Sequence, residues 1–280
     1  MKEPFDRTKN AYLVLAHEDV AMLNILIFRL LNTGSVWIHI DKASPINIEQ
    51  VIADKDVHIQ KTVKVCWGGF SQVEVTRLLA NAALAGGATR LTLLSGVSFP
   101  IVPDSKLIEV AQSNLDIFDA GVVDLKTTAK HFQRRFTTTH FDFHLGSGFI
   151  ARAIRRVSRE LCNFLPHLNP TDALSPLKLT LGSAYWSVTA DTFKKGLNLL
   201  VENSKIQKYF MAIECSDESF FGTLFRSVSE RHIQSGTTFV KWGRNNRPAI
   251  LRVDDVIEAR KQKFLFARKF KSTERNLKIE

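Results

Sequence analysis

The chain has 280 residues, 24% charged and 45% hydrophobic, enough to bury a substantial core without disulfides. No run of about 18 apolar residues occurs, which argues against a helical integral membrane protein, and Cys66, Cys162 and Cys215 have none of the close spacings of a zinc or redox site. The net charge of +10 sits in two patches, net +6 over residues 126–160 and net +5 over 252–278, so an anionic ligand or surface is expected there: nucleic acid, a nucleotide diphosphate or an acidic membrane leaflet.

In chain order, Ala11–Ala16 (AYLVLA) reads as a buried strand, and Val20–Leu31 puts Met22, Leu23, Leu26, Ile27, Leu30 and Leu31 on a helical stripe. Val36–Ile40 is a second strand ending at Asp41. A short helix near Ile46–Ala53, a strand at Val57–Ile59, a helix at Ser71–Leu84 and a strand at Arg90–Leu94 follow. Strands alternating with helices imply parallel β-α-β units with ligand groups at the carboxyl ends of the strands, where His17, Asp41 and Ser95 fall. Between 115 and 180 the pattern is less regular. A basic helix is expected over Phe149–Leu161, carrying Arg152, Arg155, Arg156 and Arg159, and Pro166, Pro170 and Pro176 mark a loop. Strand character resumes over Leu177–Thr189, before helices near Asp191–Glu202 and Asp217–Arg226. No repeat or linker divides the chain.

No P-loop or dinucleotide fingerprint is present. Asp54-Lys55-Asp56 has the form of a metal-holding Asp-x-Asp, but its place between a helix and a strand early in the chain reads as a solvated turn. The N-terminal Met1–Asp6 lacks a signal-peptide pattern, and the one near-sequon, Asn169-Pro170-Thr171, is blocked by its proline. The expected setting is a reducing cytoplasm.

Three patterns go beyond structure: AYLVLAHEDVAMLNIL with VWIHIDKAS; WGGFSQVEVTRLL with LTLLSGVSFPI; and LGSAYWSVTADTF with ECSDESFFGTLF, RPAILRVDD and FLFARKF. In this order and spacing they resemble the core-2/I-branching β-1,6-N-acetylglucosaminyltransferases and the peptide O-xylosyltransferases of glycosyltransferase family 14. The resemblance runs over about 11–112 and 178–270 and is weak between 120 and 175. It implies a GT-A type α/β fold, a Rossmann-like mixed sheet flanked by helices, in one catalytic domain over 1–280. Residues 11–112 would bind the nucleotide, and 113–280 would hold the acceptor and the catalytic group.

The resemblance also implies an inverting, metal-independent transfer from a UDP-sugar, UDP-N-acetylglucosamine on the family pattern. The catalytic base falls on Glu218. Donor-binding positions fall on His17, Asp41, Trp67, Gly68 and Ser95, and the two cations that replace a metal at the diphosphate fall on Arg252 and Lys269. A displacement at the anomeric carbon needs a carboxylate to take the acceptor proton and fixed cations or a metal to meet the charge on departing UDP. There is one departure: the acidic residue that the family often has in its Ser-Gly-x-Asp-x-Pro-Ile run is Ser98 here, which leaves the sugar identity open and weakens any metal role.

Read without the resemblance, the same residues have plainer roles. Ser216 can cap a helix with Asp217 and Glu218 in its first turn, Asp41 can end a strand in an Asx turn, and Arg252 and Lys269 can belong to a solvated basic face. Trp186 reads as packing, with Tyr185 and Ser183 facing the other way. The expected partners are a UDP-sugar, a saccharide or glycolipid acceptor of a bacterial surface polymer, and an anionic inner membrane face touched by the 149–161 segment, with no metal and no nucleic acid. Two rivals are a basic nucleic-acid-binding protein and a catalytically silent glycan-binding protein on the same fold. Against the first, the aromatics do not interleave with the basic runs.

Overall fold

The structure is a computed structural model and describes residues 5–140, 157, 161–162, 165, 167–244 and 247–273. Arg152, Arg155, Arg156 and Arg159 of the expected basic helix lie outside the described residues.

Strand β1 (Asn10–Ala16) is the centre of the fold, paired in parallel with β2 (Ser35–Ile40) and β4 (Arg90–Ser95), while β3 (Val57–Gln60) extends the sheet beyond β2. Because both faces of β1 are covered, its side chains are apolar nearly throughout rather than alternating with polar ones. Ala11 and Leu13 pack under helix α2 (Ser71–Ala85), with Val73, Leu79 and Ala83. Tyr12 and Val14 face helix α1 (Val20–Leu30), whose stripe of Leu23, Leu26, Ile27 and Leu30 closes the opposite side. Asp19 starts α1 by accepting from the Met22 N–H at 3.0 Å.

After β5 (Phe99–Pro100) and α3 (Asp104–Gln112) come β6 (Asp116–Phe118), β7 (Gly121–Val122), α4 (Lys130–Thr137), α5 (Pro170–Leu174), β8 (Thr180–Leu181) and β9 (Ser187–Thr189). Helices α6 (Ala190–Glu202), α7 (Ser204–Met211) and α8 (Phe220–Val228) precede β10 (His232–Gln234), β11 (Thr238–Val240), α9 (Val253–Lys261) and β12 (Phe266–Arg268). The main sheet runs β10-β6-β9-β4-β1-β2-β3, with β9 antiparallel to both neighbours. Strands from both parts of the chain thus share the mixed α/β sheet flanked by helices that is expected of a GT-A type chain. A smaller sheet, β11-β12-β5, continues from the carboxyl end of β4.

Trp186 is 1% exposed and packs among Phe193, Phe221 and Phe225, as its expected core role requires. Three expectations need correction. The helix near 46–53 is a single 3-10 turn, Ile48–Gln50, because Asn47 and Gln50 hydrogen-bond each other's backbone and close it after one turn. The strand over 177–189 is two short pieces. Between them, Gly182 lies against the Asp119 carbonyl, where a Cβ would come within 2.0 Å, so the chain bends there. The helix expected from Asp217 is a 3-10 turn, Ser216–Glu218, and α8 begins only at Phe220.

Candidate active site

The carboxyl ends of β1, β2 and β4 lie side by side, so parallel pairing brings His17, Asp41 and Ser95 to one edge. Asp41 links two of these ends through its own N–H to the Ala16 carbonyl at 2.9 Å. Its Oδ1 accepts from the N–H groups of Ala43 (2.9 Å) and Val65 (3.1 Å), so Asp41 does form the Asx turn and also ties down the segment after β3. The Ser95 hydroxyl is 3.0 Å from that of buried Ser98, the position where the family carries an acid. The His17 ring is exposed, with Nε2 3.7 Å from Glu18 Oε1.

The small sheet brings the C-terminal cations to the same edge. Because β12 runs antiparallel to β5, the chain beyond it returns toward β4, and Phe270 donates to the Val97 carbonyl at 3.0 Å. Lys269 is ion-paired with Glu18, and Arg268 lies over the Tyr185 ring and hydrogen-bonds its hydroxyl. Partial burial works against the Glu18 charge, but the Lys269 hydrogen bond and charge, with His17 and Lys271 adding, hold its carboxyl below the ordinary value. Arg252 is exposed at the start of α9, one residue beyond Leu251, whose N–H donates to the Lys269 carbonyl at 3.0 Å. The Arg252 N–H donates to Asp255 Oδ2.

Glu218 approaches from another direction. Its turn opens at Cys215, a non-glycine residue in the left-handed region (φ 51°) whose N–H donates to the Gly68 carbonyl at 2.6 Å. Gly68 has φ +77°, beside Trp67, which is 83% exposed. On the other side the Glu218 carbonyl accepts from the Gly182 N–H at 3.0 Å. Ser216 does not cap this turn, since its hydroxyl is buried with no hydrogen-bond partner among the described residues.

The Glu218 carboxylate takes Arg135 Nη2 on Oε2 at 2.7 Å. Burial first, and then the Glu218 charge, push the Asp217 carboxyl up to about 7, although the side chain keeps some exposure at the bottom of the turn. Burial, then the Asp217 charge, push the Cys215 thiol up to about 12, so it stays protonated. Burial opposes the Arg135 charge, but the Glu218 hydrogen bond and charge, with Cys215 and Glu214 adding, raise the guanidinium above its ordinary value.

His17, Asp41, Ser95 and Lys269 therefore gather at one sheet edge, and Gly68 is joined by one hydrogen bond to the turn that carries Glu218. Glu18, Arg135, Arg268 and the environment of Asp217 escaped sequence reasoning. Glu18 stands beside His17 in the HED run, which could have flagged it. Arg135 is 83 positions from its partner and left no local signal. Asp54 and Asp56 serve structure: Asp54 Oδ1 accepts from the Asp56 N–H, and Asp56 pairs with Arg7 at 2.7 Å.

A comparison with curated proteins gives no match. Among solved structures, the chain is similar to a 4-diphosphocytidyl-2C-methyl-D-erythritol synthase at 10% identity, covering 90% of this chain and 98% of that one, with a TM-score of 0.38. It is also similar to the mannose-1-phosphate geranyltransferase from Thermus thermophilus at 11% identity, covering 81% and 70%, with a TM-score of 0.30. Likeness at these scores carries nothing further for this chain. The family model described as Core-2/I-Branching enzyme matches residues 10–263, a span that takes in every expected site residue except Lys269. With most of its length matched, the chain belongs to the core-2/I-branching enzyme family of glycosyltransferases.

Proposed function

We propose that this chain is an inverting, metal-independent glycosyltransferase that moves N-acetylglucosamine from its UDP-sugar to a saccharide hydroxyl. The support for this reading is the gathering of His17, Asp41, Ser95 and Lys269 at one sheet edge, with the turn that bears Glu218 tied to Gly68 by the Cys215 N–H. Residues 11–112 supply most of the donor site, and 113–280 supply the base and the acceptor site.

In the transfer, the acceptor oxygen forms its bond to the anomeric carbon from the face opposite UDP while its proton passes to Glu218. The bond from that carbon to the diphosphate oxygen breaks, and UDP leaves with the electron pair. Arg252 and Lys269 meet the developing charge. Lys269 already holds one carboxylate, that of Glu18, so a diphosphate takes over a cation accustomed to an anionic partner. His17, Asp41, Ser95 and the Trp67-Gly68 turn border the nucleotide and its sugar. The acceptor is a saccharide or glycolipid of a bacterial surface polymer, met in the cytoplasm at the inner membrane face. Among the described residues no helix is long and apolar enough to cross a membrane.

Glu218→Gln tests the reading, because it keeps the side chain's shape and removes the base. Its kcat should fall about 100-fold or more with UDP affinity nearly unchanged, as the loss falls on the transition state. Transfer by the unaltered chain should persist in excess EDTA. Wild-type turnover in the Gln variant, with chemistry rate-limiting, would sink the assignment of the base. Loss of activity in EDTA restored by Mn²⁺ would sink metal independence.

A further inference from the structure

The turn that carries Glu218 presents two adjacent, partly exposed carboxylates. Two acids so placed repel, and the turn cannot hold both as free anions without a cation. The cation in contact is Arg135, from a helix 83 positions earlier in the chain. It touches Glu218 only at Oε2, and no hydrogen bond joins it to Asp217 among the described residues. The pairing is therefore lopsided.

Arg135 is also placed with some care. Its side chain is 18% exposed against 36% for Glu218, so the acid is the more open partner and the cation lies behind it. The guanidinium lies 5.8 Å from the centre of the Phe136 ring and 6.0 Å from that of Phe132. The helix end that carries it is fixed by the Tyr209 hydroxyl, which donates to the Phe136 carbonyl at 3.0 Å. A solvent-exposed ion pair contributes little and needs no such support, whereas a withdrawn one must offset its own desolvation. That cost is spent beside the proposed base.

Other charged and titratable groups face this turn. Glu214 and Cys215 lie within the same loop and act on Arg135. Asp119 lies across Gly182 and is held by Gln234 Nε2 at 2.9 Å. Cys66 precedes the Trp67-Gly68 segment that the turn hydrogen-bonds. The cation in hydrogen-bond contact with Glu218 remains Arg135.

We propose that Arg135 is a positioning residue of the transfer reaction: it takes one oxygen of the Glu218 carboxylate and leaves the other for the acceptor hydroxyl. The proposal rests on the reading of Glu218 as the base. Arg135 accepts no proton and acts through Glu218. An ionised, oriented carboxylate is what proton transfer from a hydroxyl requires, and orientation lost at the reacting group can cost about 100-fold.

The test is the pH dependence of kcat and KM for Arg135→Gln and Arg135→Lys, together with carbon-13 NMR titration of the side-chain carboxyls in the same proteins. Arg135→Gln should lower kcat by about 10- to 100-fold, leave UDP affinity within about twofold, and move the acidic limb of kcat/KM upward by about one pH unit or more, the size of effect a neighbouring arginine exerts on an acid. Arg135→Lys should return the limb most of the way but recover only part of kcat, since an ammonium cannot reproduce the planar fork of the guanidinium. The Asp217 carboxyl resonance should titrate at higher pH in the Gln variant than in the wild type, because the Arg135 charge lowers it. A fall in rate with the limb and this titration unmoved would reduce Arg135 to a structural residue and overturn the proposal. If the Gln variant does not fold, a Lys variant with wild-type kcat overturns it equally. Because the carboxyl titration needs no turnover, it separates failure of this proposal from failure of the base assignment, which Glu218→Gln reads on its own.

Discussion

The proposed donor edge and the Glu218 turn are built on opposite plans. His17, Asp41 and Ser95 arrive at the edge because three parallel strands end there, and the register that pairs Leu13 with Trp37 and Leu93 also fixes where the strands stop. Glu218 sits in a three-residue turn whose partners are Gly68, Gly182 and Arg135, all distant in the chain. A strand end positions its side chain as a by-product of the sheet. A turn positions its side chain only through contacts recruited from elsewhere, so it is easier to disturb and easier to tune.

The expected effects of substitution follow that contrast. Glu218→Gln comes first, with the loss of 100-fold or more in kcat given above. Next is Gly182→Ala, whose methyl would meet the Asp119 carbonyl at 2.0 Å. It should destabilise the protein by about 3 kcal/mol, the upper part of the overpacking range, and displace the Gly182–Glu218 hydrogen bond. Chemical denaturation reads the first effect and kcat the second. A stable Gly182→Ala variant with full activity would show that the turn does not depend on this close approach.

Asp217 gives a pH signature. Its carboxyl is raised from the ordinary 3.8 to about 7 in the folded protein, so the folded state binds its proton more tightly than the unfolded chain does. Its contribution to stability is then fully present below pH about 4 and is lost as pH rises to about 7, the reverse of the usual buried salt bridge. Asp217→Asn removes that cost. The variant should match wild type near pH 4 and exceed it at pH 8 by on the order of 2 kcal/mol, less than the full shift implies because the turn keeps a path to solvent. Melts at the two pH values check this, and equal differences at both would refute it.

The smallest effect belongs to the donor edge. Lys269→Ala should weaken UDP binding by about tenfold, since a charge-assisted contact to an anion contributes about 1.5 kcal/mol. Calorimetric titration with UDP measures it. Unchanged affinity would leave Lys269 as the structural partner of Glu18 alone.

What could be read in advance divides along the same line. The strands β1, β2 and β4 and the helices α1 and α2 were legible because burial writes itself into local periodicity, as in the stripe of Leu23, Leu26, Ile27 and Leu30. His17, Asp41 and Ser95 followed from where those strands stop. The turn at Ser216–Glu218 was misread as helix because Ser-Asp-Glu before an apolar run has the look of a capped N-terminus, while the left-handed Cys215 that diverts the chain has no compositional sign. Pairs such as Arg135 with Glu218 and Lys269 with Glu18 join residues 83 and 251 positions apart. The fully buried Arg90 is a further case: its guanidinium donates to the carbonyls of Ser113 and Leu115, 23 and 25 positions away. Long-range contacts leave no periodic trace in one sequence.

Trp67 stands in water at the junction of the two plans, next to the glycine that holds the Glu218 turn. Of the four tryptophans, Trp186 is sealed in the core and Trp37 is stacked on His58, which leaves Trp242 as the other strongly exposed indole. An indole in water emits at longer wavelength than one covered by a ligand. In a chain with Trp242 replaced by Phe, a ligand that covers Trp67 would therefore shift the emission to shorter wavelength, which gives the proposed donor site an optical readout independent of turnover.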